Sequence, residues 1–341
     1  MFDFLFAYLL FLLKGITIVV LVMVLLAFVF SLKSKKKPSS IRFENLNQRR
    51  QAMEQSLLEQ FSHSGTKFSQ VALKNFLKAV KSKKRLSKRL EDQSKRCFVM
   101  SFQGDLHASE VKTLREEISA VLQVANVDDE VVLRIESPGG AVPCYGLVAS
   151  QLMRIKQSKI KLTVCVDKIA ASGGYLAAVV ADRLLAAPFA YIGSIGVVLT
   201  MPNFHDFLKN RDIDVIELTA GKHKRSISTI GKLTSDGKKH TTSQLKAIHE
   251  QFKELVGAYR PQIEIEKVAT GDYWTAKAAL ALGLVDDLTT SDTYITELIS
   301  TNEVWEVSTL KKKSLKSMVS ESTQALFSAL IGLMHRHNSG I

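Results

Sequence analysis

Two glycine pairs govern what this chain can fold into. Gly139-Gly140 follows the apolar run 131–135 through Glu136-Ser137-Pro138, and Gly173-Gly174 follows the apolar run 162–166 through Ala170-Ala171-Ser172. A helical segment is expected after each, over 145–156 and from Ser172 onward through the apolar stretch 176–180. A short uncharged run, a glycine turn and then a helix make up the repeating unit of a parallel sheet with crossover helices. The alternation begins earlier, with a strand at 98–102 and a helix at 109–122 whose Val111, Leu114, Ile118 and Val121 form one stripe. It continues with short strands expected near 183–186 and 196–200. The fold class is therefore α/β. Ligands of such sheets gather at the carboxyl ends of the strands, where both glycine turns lie.

Ser172 stands at the start of a helix, where backbone N–H groups are free and point outward. Around it in sequence lie Gly139, then Ser194 in Gly193-Ser194-Ile195-Gly196-Val197, and Lys224 in Gly221-Lys222-His223-Lys224. A serine hydroxyl becomes a nucleophile when a base removes its proton. The usual base is a histidine oriented by a carboxylate, but His107, His205, His223, His240 and His249 all sit in polar surroundings without a turn or strand-end pattern. A lysine can serve if its pKa falls from about 10.4 to near 7–8. That change costs about 4 kcal/mol, which calls for burial and for hydrogen bonds from neutral partners. The Ser194 hydroxyl suits that role, because it fixes an amine without favouring its charged form. The turns at Gly139 and Gly173 would supply two backbone N–H donors for an oxyanion.

These pieces resemble the S49 peptidase family, the signal peptide peptidase A group, over roughly residues 97–288. Ala171-Ser172-Gly173-Gly174-Tyr175 looks like the family's nucleophile motif, and Ser137-Pro138-Gly139-Gly140 like its oxyanion and substrate-strand motif. Gly193-Ser194-Ile195-Gly196-Val197 is similar to its Gly-Ser-Ile-Gly segment, and Gly221-Lys222-His223-Lys224 to its Gly-Lys-x-Lys, whose second lysine is the general base. The resemblance implies a ClpP/crotonase-like fold of ββα units and a Ser–Lys endopeptidase. Ser172 would be its nucleophile, Lys224 its base and Ser194 the residue orienting that base. Gly139 and Gly173 would form the oxyanion hole, and Gly140 would lie on the substrate strand. It also implies extended, hydrophobic peptide substrates such as signal-peptide remnants or misfolded proteins, a homo-oligomer, no cofactor, and a bacterial inner-membrane location. The segment 271–286 resembles the fold's closing motif, with Thr275 capping an alanine-rich helix that ends at Gly283.

The 341 residues are 46% hydrophobic, and one segment explains much of that excess. Between Phe4 and Leu32 the only charge is Lys14, so 1–32 reads as an anchor long enough to reach the about 20 apolar residues that span a bilayer. A cleavable signal peptide fits less well, since the run exceeds an h-region and the basic cluster follows it. Lys33, Lys35, Lys36 and Lys37 come directly after the anchor. The positive-inside rule would keep the body in the cytoplasm, whereas the family leans toward the periplasmic face. The uncharged stretch 184–204 is a buried strand pair rather than a second span, because it holds Pro188, Gly193, Gly196 and Pro202.

The remaining organisation is a basic, mostly helical region 33–95, a catalytic domain 96–290, and a tail 291–341 with an amphipathic helix near 325–334. The net charge of +13 is concentrated in 33–37 and 78–96. That pattern suits a solvated tether or anionic lipid head groups. It lacks the interleaved aromatics of a nucleic-acid surface. Cys97, Cys144 and Cys165 make no disulfide framework and no metal spacing occurs. Cys144 is a rival nucleophile without an accompanying base. Two readings from other classes stand beside the protease. A crotonase-like acyl-CoA enzyme would need carboxylates at the glycine turns, and a catalytically silent membrane scaffold would need neither Ser172 nor Lys224.

Overall fold

The apolar run of residues 130–136 forms strand β3 (Glu130–Glu136), the central strand of a seven-stranded sheet. The computed structural model describes residues 8, 10–18, 21, 41–63 and 95–309. On one side of β3 lie β4 (Lys161–Val166), β6 (Arg183–Ala186) and β9 (Asp287–Leu288), all parallel. On the other lie β2 (Arg96–Gln103) and β10 (Glu303–Thr309), also parallel, and then β1 (Ile41–Asn45), antiparallel to β10. A second sheet of three short strands holds β5 (Ile169–Ala171), β7 (Tyr191–Gly193) and β8 (Tyr273–Thr275), with β7 in the middle.

Alternation along the strands sorts the core into two layers. Phe98, Met100 and Phe102 of β2 and Val131, Leu133 and Ile135 of β3 face one cluster. That cluster is closed by α2 (Val111–Val124) and α3 (Val142–Gln157), which contribute Leu114, Ile118, Val121, Val148, Leu152 and Ile155. Cys97, Val99, Val132 and Cys165 face the opposite side and pack against Tyr294, Ile295 and Leu298 of α9 (Ser291–Thr301). Each aliphatic side chain buried in this way contributes about 1.5–3 kcal/mol. Helix α9 is also tied to the sheet through Glu130, whose Oε1 accepts hydrogen bonds from the Tyr294 hydroxyl (2.7 Å) and the Thr163 hydroxyl (2.6 Å). Further helices of the body, among the described residues, are α1 (Leu46–His63), α4 (Gly173–Ala178), α5 (His205–Lys209), α6 (Ser235–Tyr259), α7 (Ile265–Val268) and α8 (Ala276–Ala281).

The mixed α/β class expected from the glycine turns is the one found, with differences at particular elements. No strand forms over 196–200; the strand of that region is β7, earlier in the chain. The 184–204 stretch supplies β6 and β7, and its Leu184, Leu185, Ile192 and Ile195 are buried in the body. Thr275 sits at the N-cap of α8 without a side-chain capping bond, because it is also the last residue of β8. Residues 41–45, expected within a helical region, pair as an edge strand with β10, and the compact unit accordingly runs from 41 to 310.

Residues 1–40 and 311–341 form a separate unit, in which 10–18 are helical. Among the described residues no helix is long and apolar enough to cross a membrane. Most of the expected anchor, the basic runs at 33–37 and 78–89, and the 325–334 helix lie outside the described residues.

Candidate active site

The two glycine turns meet because β5 is stitched to the chain just beyond β3. Ser137 N–H donates to Ile169 O (2.8 Å), and Ala171 N–H donates to Ser137 O (3.0 Å). The second turn then carries Ser172, whose N–H donates to Gly193 O at 2.8 Å. Parallel pairing aligns Ala171 with Gly193, so Ser172 and Ser194 follow side by side at the ends of neighbouring strands. This register is what brings together two serines distant in sequence.

Ser172 is held at φ +49° and ψ −121°, a conformation that L-residues rarely adopt. Such a geometry costs about 1–3 kcal/mol and persists only where the surroundings enforce it. Ser172 stands at the N-cap of α4, yet its hydroxyl makes no capping bond. The plain explanation of this serine as a helix cap therefore fails, and the half-buried hydroxyl is left available. Gly139 packs directly against it. A Cβ at position 139 would lie 2.8 Å from Ser172 Cβ, 2.7 Å from Ala171 O and 2.8 Å from Gly173 N, and the residue has φ +94°. Gly139→Ala is therefore expected to cost about 2–5 kcal/mol through backbone strain and overpacking. A lowered thermal midpoint together with loss of peptidase activity checks this, and a stable, active variant would contradict it.

Gly173, the first residue of α4, has a backbone N–H without an intrahelical acceptor, as every helix start does. Gly139 was expected to offer a second N–H, and here the structure differs. Its N–H donates to the buried Ser137 hydroxyl at 3.1 Å. The next N–H along the turn, that of Gly140, has no hydrogen-bond partner among the described residues. The donor left open by this turn is thus one residue further on, a shift invisible in the sequence because it depends on where the Ser137 side chain points.

Ser194 also has positive φ, at +52°, and its N–H donates to Asp272 O at 2.6 Å. Beyond it the chain runs through residues 196–234 with little regular structure besides α5. Asn203 Nδ2 donates to Ser228 O (2.9 Å) and Gly231 O (3.0 Å), and Phe204 N–H donates to Thr229 O (2.7 Å), closing the segment on itself. Within it the Glu217 carboxylate accepts from the Ser228 hydroxyl and pairs with Arg225, each at 2.7 Å. The Ser228 hydrogen bond, followed by that of Arg225, holds the Glu217 carboxyl below its ordinary range.

Lys224 occupies an exposed turn in this segment, and its own N–H donates to Gly221 O at 3.1 Å. Among the described residues no hydrogen bond or ion pair joins its ammonium to Ser172, Ser194 or any other group. The structure therefore brings Ser172, Ser194, Gly139, Gly140 and Gly173 together and leaves Lys224 facing solvent, not desolvated as the chemistry of a lysine base requires. The same segment exposes Val198 (84%), Ile216 (82%) and Leu218 (92%).

Residues for which the sequence suggested no role also shape the site. His223 stacks on His240 of α6 with ring centroids 3.8 Å apart and planes 12° from parallel, steadying the turn that carries Lys224. Tyr145 lies beneath Gly173. No spacing rule links His223 to His240 or Tyr145 to Gly173, since each pair is made by tertiary packing. The cysteines read as small core residues. Cys97 and Cys165 are buried, and burial pushes both thiols up, Cys165 to about 12. Cys144 lies in the first turn of α3, partly buried against the main core.

Comparison with known proteins places the chain in a family. The model of the peptidase family S49 N-terminal region matches residues 3–152, and that of peptidase family S49 matches residues 154–305. The chain is 41% identical to a probable protease SohB of Haemophilus influenzae over 99% of this chain and 97% of that one. It is 43% identical to a probable protease SohB of Buchnera aphidicola (subsp. Acyrthosiphon pisum) over 73% of this chain and 74% of the other. Among solved structures, a membrane-bound stomatin-specific protease aligns with a TM-score of 0.43 at 15% identity, over 68% of this chain and 98% of that one. With family models spanning most of its length and a relative matched end to end, the chain belongs to peptidase family S49.

Proposed function

We propose that this S49 peptidase is a membrane-anchored serine endopeptidase with a Ser–Lys dyad, Ser172 as nucleophile and Lys224 as general base. The observation that carries the reading is Ser172 itself: a strained serine with an uncapped hydroxyl, pressed against a glycine turn that offers an open N–H. Ser172 Oγ attacks the scissile carbonyl carbon as its proton passes to the neutral Lys224 amine. The resulting oxyanion is held by the N–H groups of Gly173 and of the 139–140 turn, Gly140 being the open one. The intermediate collapses as the C–N bond breaks and the Lys224 ammonium protonates the leaving amine. Water, deprotonated by the same lysine, then cleaves the acyl-enzyme ester.

An extended peptide adds as a strand beside Gly139-Gly140, with main-chain hydrogen bonds giving affinity and apolar pockets giving preference. Hydrophobic segments such as signal-peptide remnants or misfolded chains are the substrates that suit such a groove. The fold is read as a ClpP/crotonase-like stack, and the segment 1–32 as the anchor that holds it at the bacterial inner membrane. Lys224 becomes competent when its turn is covered. The exposed Val198, Ile216 and Leu218 of the same segment favour covering by another copy of the chain.

A serine-directed phosphonate tests this reading against its rivals. The protease is expected to be labelled on Ser172, as located by mass spectrometry of the digested adduct. A silent scaffold would take no label. An acyl-CoA enzyme would take none and would bind coenzyme A.

A further inference from the structure

We propose that Tyr145 and Ser137 are positioning residues of the reaction, forming a buried relay that sets the direction of the oxyanion-binding turn. The inference rests on the serine-peptidase reading above and adds to it the question of what aims the donors.

Tyr145 lies in the first turn of α3, and its side chain is fully buried, with no exposed surface. Its hydroxyl donates to Asp105 O at 2.8 Å and lies 2.5 Å from Ser137 Oγ. A phenol has one proton, so with that proton on Asp105 O the Ser137 hydroxyl must be the donor of the short bond. Ser137 Oγ in turn accepts from Gly139 N–H at 3.1 Å. The donors therefore run one way: Gly139 N–H to Ser137, Ser137 to Tyr145, and Tyr145 to the Asp105 carbonyl. Burial keeps the phenol protonated across the working range by pushing its pKa up.

The two ends of this relay touch both arms of the site. At one end the Ser137 hydroxyl takes the Gly139 N–H, which fixes the Pro138–Gly139 peptide plane, while the Gly140 N–H of the next peptide unit stays open among the described residues. At the other end the Tyr145 ring forms the floor of Gly173, since a Cβ at 173 would lie 2.5 Å from Tyr145 Cγ. The backbone of Ser137 also pairs with Ile169 and Ala171, the residues leading to Ser172. A single buried pair of side chains thus sets the spacing between the two oxyanion donors and the nucleophile. Linked hydrogen bonds in a dry site polarise one another and resist reorientation. Donors aimed at the oxyanion gain most when charge develops, so misaiming them should damage the transition state and spare ground-state binding.

The test uses the full chain in detergent, with Tyr145→Phe and Ser137→Ala. Tyr145→Phe keeps the ring under Gly173 and removes only the hydroxyl. It is expected to lower kcat by about 10- to 100-fold with KM unchanged, the scale of a donor misplaced rather than deleted. Affinity for a peptide aldehyde, which forms a tetrahedral adduct, should fall in the same ratio as kcat/KM. Binding of the uncleaved peptide to a chain carrying Ser172→Ala should be unaltered by Tyr145→Phe. The double variant Ser137→Ala/Tyr145→Phe should lose no more than the worse single one, because both belong to one relay. Wild-type kcat in both single variants, or a loss expressed wholly in KM, would overturn the proposal. If Tyr145→Phe fails to fold by circular dichroism, Ser137→Ala alone decides by the same readouts. An active Ser172→Ala chain would instead sink the serine mechanism, so the two failures are distinguishable.

Discussion

Ser172→Ala is expected to lower kcat for an unfolded or hydrophobic peptide by about ten-thousand-fold to a million-fold, the range seen when a nucleophile of an acyl-transfer site is removed. The structure gives reasons to expect this without loss of the fold. The Ser172 hydroxyl makes no capping bond in α4, so its removal leaves the hydrogen-bond frame intact. What remains is the Ser172 N–H bond to Gly193 O and the positive φ, which alanine bears as badly as serine. Ser172→Gly separates the two effects. Glycine accepts φ near +49° without steric cost, so this variant should be inactive and yet melt at or above the midpoint of Ser172→Ala. Activity equal to wild type in a pure Ser172→Ala preparation would remove this serine from the mechanism.

The second large effect is expected at Lys224. Lys224→Arg should be as damaging as Lys224→Ala, each lowering kcat/KM by about a thousand-fold or more, because arginine keeps the charge but cannot give up its proton at usable pH. Lys222→Ala should be much milder. The two lysines sit in one exposed turn, and the stacking of His223 on His240 holds that turn against α6. A dispensable Lys224 beside an indispensable Lys222 would move the base by two positions. Comparable activity in all three variants would leave the dyad without support.

How far the sequence could be read depended on the range of the interactions. The strands β2, β3 and β4 were legible because each is a short apolar run with helix-spaced residues after it, and a parallel sheet buried on both faces permits little else. The two glycine turns were legible because a residue without a side chain is required where backbone approaches backbone, as Gly139 does at Ser172. Residues 41–45 were not legible as a strand. Among the described residues their strand partner is β10, far away in sequence, and nothing local marks that pairing. Which N–H of the 139–140 turn stays open was not legible, because the Ser137 side chain, not the backbone pattern, decides which one is spent. Lys224 could be picked out by its motif, but its environment could not. Spacing says nothing about whether an amine is covered, and here the amine is exposed.

The order β1-β10-β2 at the edge of the main sheet constrains how the chain can mature. Among the described residues β10 is the last strand to be synthesised, and it lies between the first two. Until Glu303–Thr309 is made, β1 has no neighbour in the sheet and β2 presents an open edge of unpaired N–H and carbonyl groups, a template for wrong pairing. The sheet therefore cannot close along this edge until most of the chain has been made. Closure comes as a late, long-range step of the kind that slows folding and exposes intermediates to aggregation. Until that strand arrives, the open edge of β2 is where a nascent chain of this type is most exposed to wrong pairing.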